Sequence, residues 1–302
     1  MKSIKINVLI FLLGTILYSS CVEDPMASEQ YQKDIYIIGA NKDVSSFNLP
    51  YGDAQEAFIS LSASGTHKVD RDVEIALKEA VGIIDKYNNK YLLDAAVKYR
   101  ALPSDLVNIP SWKTTLKAGD IYTHLPFSIS SSGLHCDSLY ALTFEIESVS
   151  DYQIKESGKK MIFTLKLVND FSGDYQMKAT TMSLIENADG SWVEDGSPTP
   201  IEIPRTLTAC SAKEVRFFHG TTRQTLSEYS SSWEPGKDYF DAIKNYCIKF
   251  VQVNDSNKFT IEPWGAMEII GGEAEYKKDE FSFWYDYMDD SERYRMKGTF
   301  KK

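Results

Sequence analysis

Phe281-Ser282-Phe283-Trp284-Tyr285-Asp286-Tyr287 carries an aromatic ring at every second residue. Side chains alternate across a β-strand, so Phe281, Phe283, Tyr285 and Tyr287 share one face and Trp284 lies opposite them. Met288 to Glu292 is turn chemistry, and Arg293 to Phe300 reads as the return strand. The same period of two recurs upstream. Tyr140, Leu142, Phe144 and Ile146 share a face, with Thr143, Glu145 and Glu147 on the other. Ile121, Thr123, Leu125, Phe127 and Ile129 share another, as do Met161, Phe163, Leu165 and Leu167. Ile35 to Ile38, Phe58 to Ala63 and Val73 to Leu77 add earlier strands. Leu92, Ala95, Ala96 and Tyr99 show helical spacing, which predicts a short helix there.

This pattern predicts an all-β chain in two parts. Residues 35–169 hold seven or so short strands, each with one buried face, which suggests an immunoglobulin-like β-sandwich. Cys136 is the one Cys of that segment, so the sandwich lacks the disulfide of antibody domains. Asp170-Phe171-Ser172-Gly173 is a break, and residues 170–302 read as an antiparallel meander. Asn187-Ala188-Asp189-Gly190 is a hairpin signal, Gly196 to Pro200 reads as a loop, and Gly271-Gly272 reads as a turn. Closing such a meander into a small lipocalin-like up-and-down β-barrel removes exposed strand edges.

Ahead of the strands, Met1 to Lys5 is short and basic, and Asn7 to Leu17 is an apolar run of signal-peptide length, too short to span a bilayer. Ser19 and Ser20 then precede Cys21. This resembles the processing site of bacterial lipoproteins, in which residues 1–20 are removed and the Cys thiol carries the lipid. Leu17 stands one position further from Cys21 than the usual pattern, with Tyr18 in its place. Glu23 and Asp24 resemble the acidic export signal of Bacteroidota surface lipoproteins. The expectation is a lipid anchor on Cys21, a polar tether over residues 21–34, and a place on the outer face of the outer membrane.

The chain of 302 residues has a net charge of −10, and loss of residues 1–20 with Lys2 and Lys5 leaves −12. Such a balance argues against nucleic acid and against electrostatic docking on anionic lipid. The four histidines, His67, His124, His135 and His219, show no ligand spacing, and no zinc, calcium, phosphate-loop or nucleophile-elbow motif is present. No cofactor, metal or catalytic residue is expected. Cys136, Cys210 and Cys247 read as free thiols, with a Cys210–Cys247 disulfide as the alternative.

The order of motifs resembles a group of Bacteroidota surface lipoproteins of polysaccharide-utilisation systems. Their N-terminal domain resembles the immunoglobulin-like domain found ahead of some family-18 glycoside hydrolases, and their C-terminal domain is lipocalin-like. In the first domain the likeness rests on Asp85 to Asn88, Tyr99 to Pro103, Lys117-Ala118-Gly119 and Tyr140 to Ile146. In the second it rests on Ser172 to Tyr175, Thr260 to Trp264, Phe281 to Tyr287 and Tyr294 to Phe300. Leu142-Thr143 stands where that group has Leu-Pro. The resemblance implies a part in polysaccharide uptake and carries over no catalytic residue.

The residues with functional character are aromatic, because a sugar ring stacks its C–H face on an indole. Trp192 beside the hairpin turn, Trp233 in a polar loop and Trp264 at a strand end are the glycan-binding candidates. Trp112 and Trp284 read as core or barrel-lining residues, since a large ring contributes several kcal/mol when buried at ~25 cal/mol per Å2. The leading reading is a non-catalytic surface lipoprotein that binds glycan and hands it to an outer-membrane importer. The alternatives are a structural lipoprotein that contacts other surface lipoproteins, and a barrel holding a small hydrophobic ligand. A barrel filled by Phe281, Phe283, Tyr285 and Ile261 would count against the last.

Overall fold

The computed structural model describes residues 28–40, 42 and 44–302. The signal segment, Cys21 and the start of the tether lie outside the described residues. The described chain is nearly all β, as a sandwich followed by a closed barrel.

The sandwich strands are β1 (Asp34–Ile37), β2 (Ser45–Pro50), β3 (Gln55–Ala63), β4 (Val73–Lys78), β5 (Tyr99–Ala101), β6 (Val107–Asn108), β7 (Lys113–Leu116), β8 (Tyr122–Ile129), β9 (Leu139–Val149), β10 (Gln153–Ile154) and β11 (Lys160–Val168). One sheet has the order β10-β1-β3-β8-β6 and the other β2-β11-β9-β4-β7, with β5 beside β9. The period-two residues meet between the sheets. Ile59, Leu61, Leu125, Phe127, Phe144 and Phe163 are buried in one core, with Trp112 packed against it. The expected face of β8 loses its first member, because Ile121 precedes the strand and is 60% exposed. Thr143, expected outside, is buried, and it lines a small recess with Ile84 and Ala101.

Helix α1 spans Ile83–Tyr91, earlier than the spacing of Leu92 to Tyr99 predicts. Gly82 at φ 74 starts it, Asp85 stands in its first turn and Lys90 in its last, as the helix dipole favours. Its anchor is Asn88, whose amide donates to the Tyr99 carbonyl at 2.8 Å and accepts from the Tyr99 N–H at 3.1 Å. Residues 92–98 make turns that carry the chain back to β5.

The barrel strands follow in sequence order: β12 (Gly173–Glu186), β13 (Trp192–Ala209), β14 (Glu214–Phe218), β15 (Cys247–Gln252), β16 (Lys258–Pro263), β17 (Ile269–Lys277), β18 (Glu280–Asp289) and β19 (Glu292–Lys301). Pairing of β12 with β19 closes the ring. Phe217, Phe250, Phe259, Phe281 and Phe300 fill the interior and are at most 1% exposed. The rings touch edge to face, with Phe217 4.8 Å from both Phe250 and Phe300. Phe281, Phe283, Tyr285 and Ile261 all join this core. A filled interior weighs against the hydrophobic-ligand alternative.

Three barrel segments differ from the sequence reading. Gly196 to Pro200 lies within β13: Thr181 pairs with Thr199 and Ser183 with Asp195, so two extra residues bulge out around Gly196 at φ 81. Gly271 and Gly272 lie within β17, and the turn falls instead at Lys278 and Asp279, both at positive φ. Gly272 is glycine because an added Cβ would sit 2.5 Å from the Tyr285 Cβ. Helix α2 (Pro235–Tyr246) was not expected. Pro235 at its start supplies a suitable φ where no N–H is needed, and Lys244 stands in its last turn.

The domains meet at a polar junction. Arg216 of β14, 3% exposed, donates to both carboxylate oxygens of Asp137 at 2.7 and 2.5 Å. The Asn169 amide donates to the carbonyls of Ser211 and Glu214 at 2.8 and 2.9 Å, which ties the link between β11 and β12 to the barrel.

Candidate functional site

Since the barrel interior is full, what the barrel can offer lies on its outside and at its ends. Odd residues of β18 point inward, so Ser282, Trp284 and Asp286 point out. On β19 the outward positions are Arg293, Arg295 and Lys297. Glu273 and Glu275 of β17 and Lys258 of β16 continue the same face. Register places Trp284 between Glu273 and Lys297, and Asp286 between Gly271 and Arg295.

These side chains form one connected array. Asp286 is 2% exposed although it points away from the barrel interior. Its carboxylate accepts from Arg293 Nη2 at 2.7 Å, and from Arg295 Nε and Nη2 at 2.7 and 3.0 Å. The Arg295 guanidinium, held in the charged state by Asp286, lies 5.0 Å from the centre of the Trp284 ring. The Trp284 indole N–H donates to Glu273 at 3.2 Å. At the other end, Arg293 lies 4.8 Å from the Trp192 ring. Trp192 reaches this face because β12 and β13 run on past the barrel wall as a long hairpin arm. The arm is fixed by pairing of Leu184 with Arg293 and by Lys297 donating to Glu194 at 2.9 Å. Two indoles are thereby held through two cation–π contacts and one buried carboxylate.

Beside the array is a concavity of about 800 Å3. Trp284, Arg295, Lys297 and Glu194 line one part, and Lys258, Glu273 and Glu275 another. Its ionisable lining is balanced, three carboxylates against three cations. Size, an indole wall and a rim of donors and acceptors are features of a small-molecule site.

Of the three aromatic candidates, Trp192 belongs to this array. Trp233 is 97% exposed just ahead of α2, and Trp264 is half-buried at the domain junction, 4.8 Å from Arg216 and 6.3 Å from the His135 ring. Neither contacts the array. Trp284, read from sequence as a packing residue, is the indole that lines the concavity.

The barrel end near α2 holds other polar groups. His219 Nδ1 and the Tyr285 hydroxyl share a hydrogen bond at 2.8 Å, and the hydroxyl also reaches the Met296 sulfur at 3.0 Å. Burial and the nearby Arg205 lower the His219 pKa to about 4, so the ring is neutral at pH 7. Arg205 is 1% exposed and donates to the Gly220 carbonyl. At the domain junction, His135, Cys136 and Asp137 bring their ligand atoms within 4.8 Å of one another, and both Asp137 oxygens are engaged by Arg216.

Two domain-family models match the chain in tandem, one described as an N-terminal domain over residues 31–153 and one as a C-terminal domain over residues 159–301. No curated protein matches at a significant level. Among solved structures, a Bacteroides ovatus protein of unknown function is similar at 15% identity and TM-score 0.62, over 88% of this chain and 93% of that one. A multidomain Bacteroides ovatus protein with a DUF1735 domain is similar at 16% identity and TM-score 0.60, over 90% and 94%. An auxiliary nutrient binding protein of Bacteroides thetaiotaomicron is similar at 15% identity and TM-score 0.51, over 86% and 91%. The chain shares the two-domain fold of these Bacteroides proteins.

Proposed function

We propose that the protein is a non-catalytic, lipid-anchored surface protein that binds a glycan on the outer face of its barrel. The observation that carries this is the concavity walled by Trp284, with its hydrogen-bonding rim. An indole offers a flat apolar face to the C–H side of a sugar ring, while Glu194, Glu273, Lys258 and Lys297 can meet the hydroxyls. The balanced charge of the lining suits an uncharged sugar. The nutrient binding protein of Bacteroides thetaiotaomicron, alike in fold, supports a binding role. A glycan array on the purified chain, followed by calorimetry with Trp284→Ala, tests the reading. Loss of the indole is expected to weaken binding by up to about tenfold, since ~1.4 kcal/mol is a factor of ten and stacked rings contribute roughly 0.5–1.5 kcal/mol. No binding to any glycan by a folded chain, or equal binding by Trp284→Ala, would sink it.

The anchor is part of the same proposal. Acyl chains on Cys21 would hold the protein at the outer membrane, beside an importer to which bound glycan could pass. Cys21→Ala is expected to move the protein from the membrane fraction to the soluble fraction. Retention of the variant in membranes refutes the anchor and leaves the glycan site untouched.

One observation favours contact with a partner protein as a second reading. Trp233, just ahead of α2, is 97% exposed, and Phe240 midway along α2 and Tyr246 at its end are 39% and 50% exposed. Cross-linking from a Cys placed at 233 on cells would capture a neighbouring surface lipoprotein under this reading, with or without sugar.

A further inference from the structure

The domain junction brings together two cysteines that are far apart in sequence. Cys136 follows β8 in the sandwich, and Cys210 follows the last residue of β13 in the barrel. The two sulfurs stand at one cross-strand pair, Cys136 against Arg216 and Cys210 against the carbonyl of Thr208, the strand partner of Arg216. Both side chains are positioned by backbone that has little freedom. The Cys210 N–H donates to the Glu214 carbonyl at 3.0 Å, closing the tight connection from β13 to β14. Its sulfur lies 3.5 Å from the Thr208 carbonyl. Cys136 is held next to Asp137, whose carboxylate grips Arg216 of β14. The same guanidinium lies 3.8 Å from the Cys136 sulfur.

We propose that Cys136 and Cys210 form a disulfide that joins the sandwich covalently to the barrel. Neither domain can make this bond alone, and it would lie beside the buried Arg216–Asp137 ion pair that the domains share.

The roles of the two sulfurs differ. The neighbouring Cys210 thiol and the Arg216 guanidinium both lower the Cys136 pKa, so this thiol ionises below its ordinary range. Cys210 is shifted up by the neighbouring Cys136 and by burial, so it keeps its proton. Cys136 also lines a cleft of about 620 Å3 between the domains, with Tyr99, Ser138, Thr206 and Thr208, which gives a reagent access. The oxidant is a disulfide, of low molecular weight or on a protein. The Cys136 thiolate attacks one of its sulfurs, forming a mixed disulfide and expelling one thiolate. Cys210 then attacks the Cys136 sulfur, gives its proton to the departing thiolate, and the inter-domain bond closes. Two thiols are oxidised and one disulfide is reduced to two thiols. Cys247 is the competitor within the chain. It is 0% exposed and burial raises its pKa to about 12, so it is both inaccessible and un-ionised.

The test uses the full chain with oxidised glutathione as the probe, followed by intact mass and peptide mapping without reduction. The expected product has lost two hydrogens, carries a Cys136–Cys210 link, and melts about 5 °C or more higher than the reduced chain, because the bond closes a long loop in the unfolded state. Cys210→Ser is expected to stop at the glutathione adduct on Cys136, and Cys136→Ser to leave Cys210 unmodified. Mapping that finds Cys210 joined to Cys247 overturns the proposal. So does a folded chain in which Cys136 keeps its adduct while Cys210 is intact, or one in which Cys136→Ser and Cys210→Ser react alike.

Discussion

Replacing Asp286 by Ala probes the array at its centre, and the structure sets the size of the effect. The carboxylate accepts three hydrogen bonds from Arg293 and Arg295, at 2.7, 2.7 and 3.0 Å. A hydrogen bond to a charged group contributes about 1.5–3 kcal/mol, so the gross loss is about 5–9 kcal/mol. Against this stands the cost of having buried a carboxylate that is 2% exposed, several kcal/mol, which the variant no longer bears. The arginine side chains are 19% and 29% exposed, so water can reach them once Asp286 is gone. The net destabilisation is therefore about 2–3 kcal/mol, below the roughly 3–5 expected for breaking a fully buried pair. Urea unfolding followed by tryptophan fluorescence reads it as a lower midpoint with unchanged slope. The same variant frees Arg295 from its place over Trp284, so glycan affinity should fall even where the chain is fully folded. Asp286→Asn, which keeps an acceptor of the same shape, should fall between. A stability loss under about 0.5 kcal/mol, with unaltered binding, would refute the argument that Asp286 holds both arginines in place.

Two further outcomes follow from other buried groups. Asp137→Ala leaves Arg216 buried without its carboxylate, and a loss of about 3–5 kcal/mol is expected, with the two domains unfolding in separate steps by calorimetry. His219 is neutral in the fold with a pKa near 4, against 6.5 for the free side chain, so the unfolded state binds more protons between those values. Its contribution, about 3 kcal/mol, is complete above pH 6.5 and is lost as pH falls towards 4. The difference in urea midpoint between pH 7 and pH 4.5 should accordingly shrink in His219→Gln.

The fold was legible where side chains alternate and the turn lies outside the strands. Residues such as Phe281, Phe283 and Tyr285 state their own orientation, because a half-buried strand needs period two and nothing else in the chain competes with it. The hidden parts were those in which tertiary contacts overrule local chemistry. Gly271 and Gly272 look like a turn, yet they pair with Asp286 and Tyr285 inside β17, where the Tyr285 Cβ and the Trp284 carbonyl leave no room for a side chain at 272. Gly196 to Pro200 looks like a loop, yet a bulge lets it continue β13. Helix α1 shows the reverse, since its register is set by Asn88 bonding the Tyr99 backbone and not by apolar spacing.

The site shows why alternation misleads when burial has two sources. Trp284 stands opposite the core-facing rings of β18, which by itself places it outside the barrel. The size of the indole argues for burial, and in a small barrel that argument points to the interior. Both hold, because a second layer exists outside the wall: Arg293, Arg295 and the β12–β13 arm bring Trp192 over the outer face, and Asp286 is buried among them. An Asp in a strand between two rings, paired across the sheet with arginine, is the local trace of such a layer. Arg293 and Arg295 lie two residues apart on the following strand, and both stand across from the Trp284 to Met288 stretch. A carboxylate at the one outward position that two arginines can share has no use on a solvated face, where exposed pairs contribute little. Its presence implies that something covers it, and on this barrel the cover carries an indole at each end.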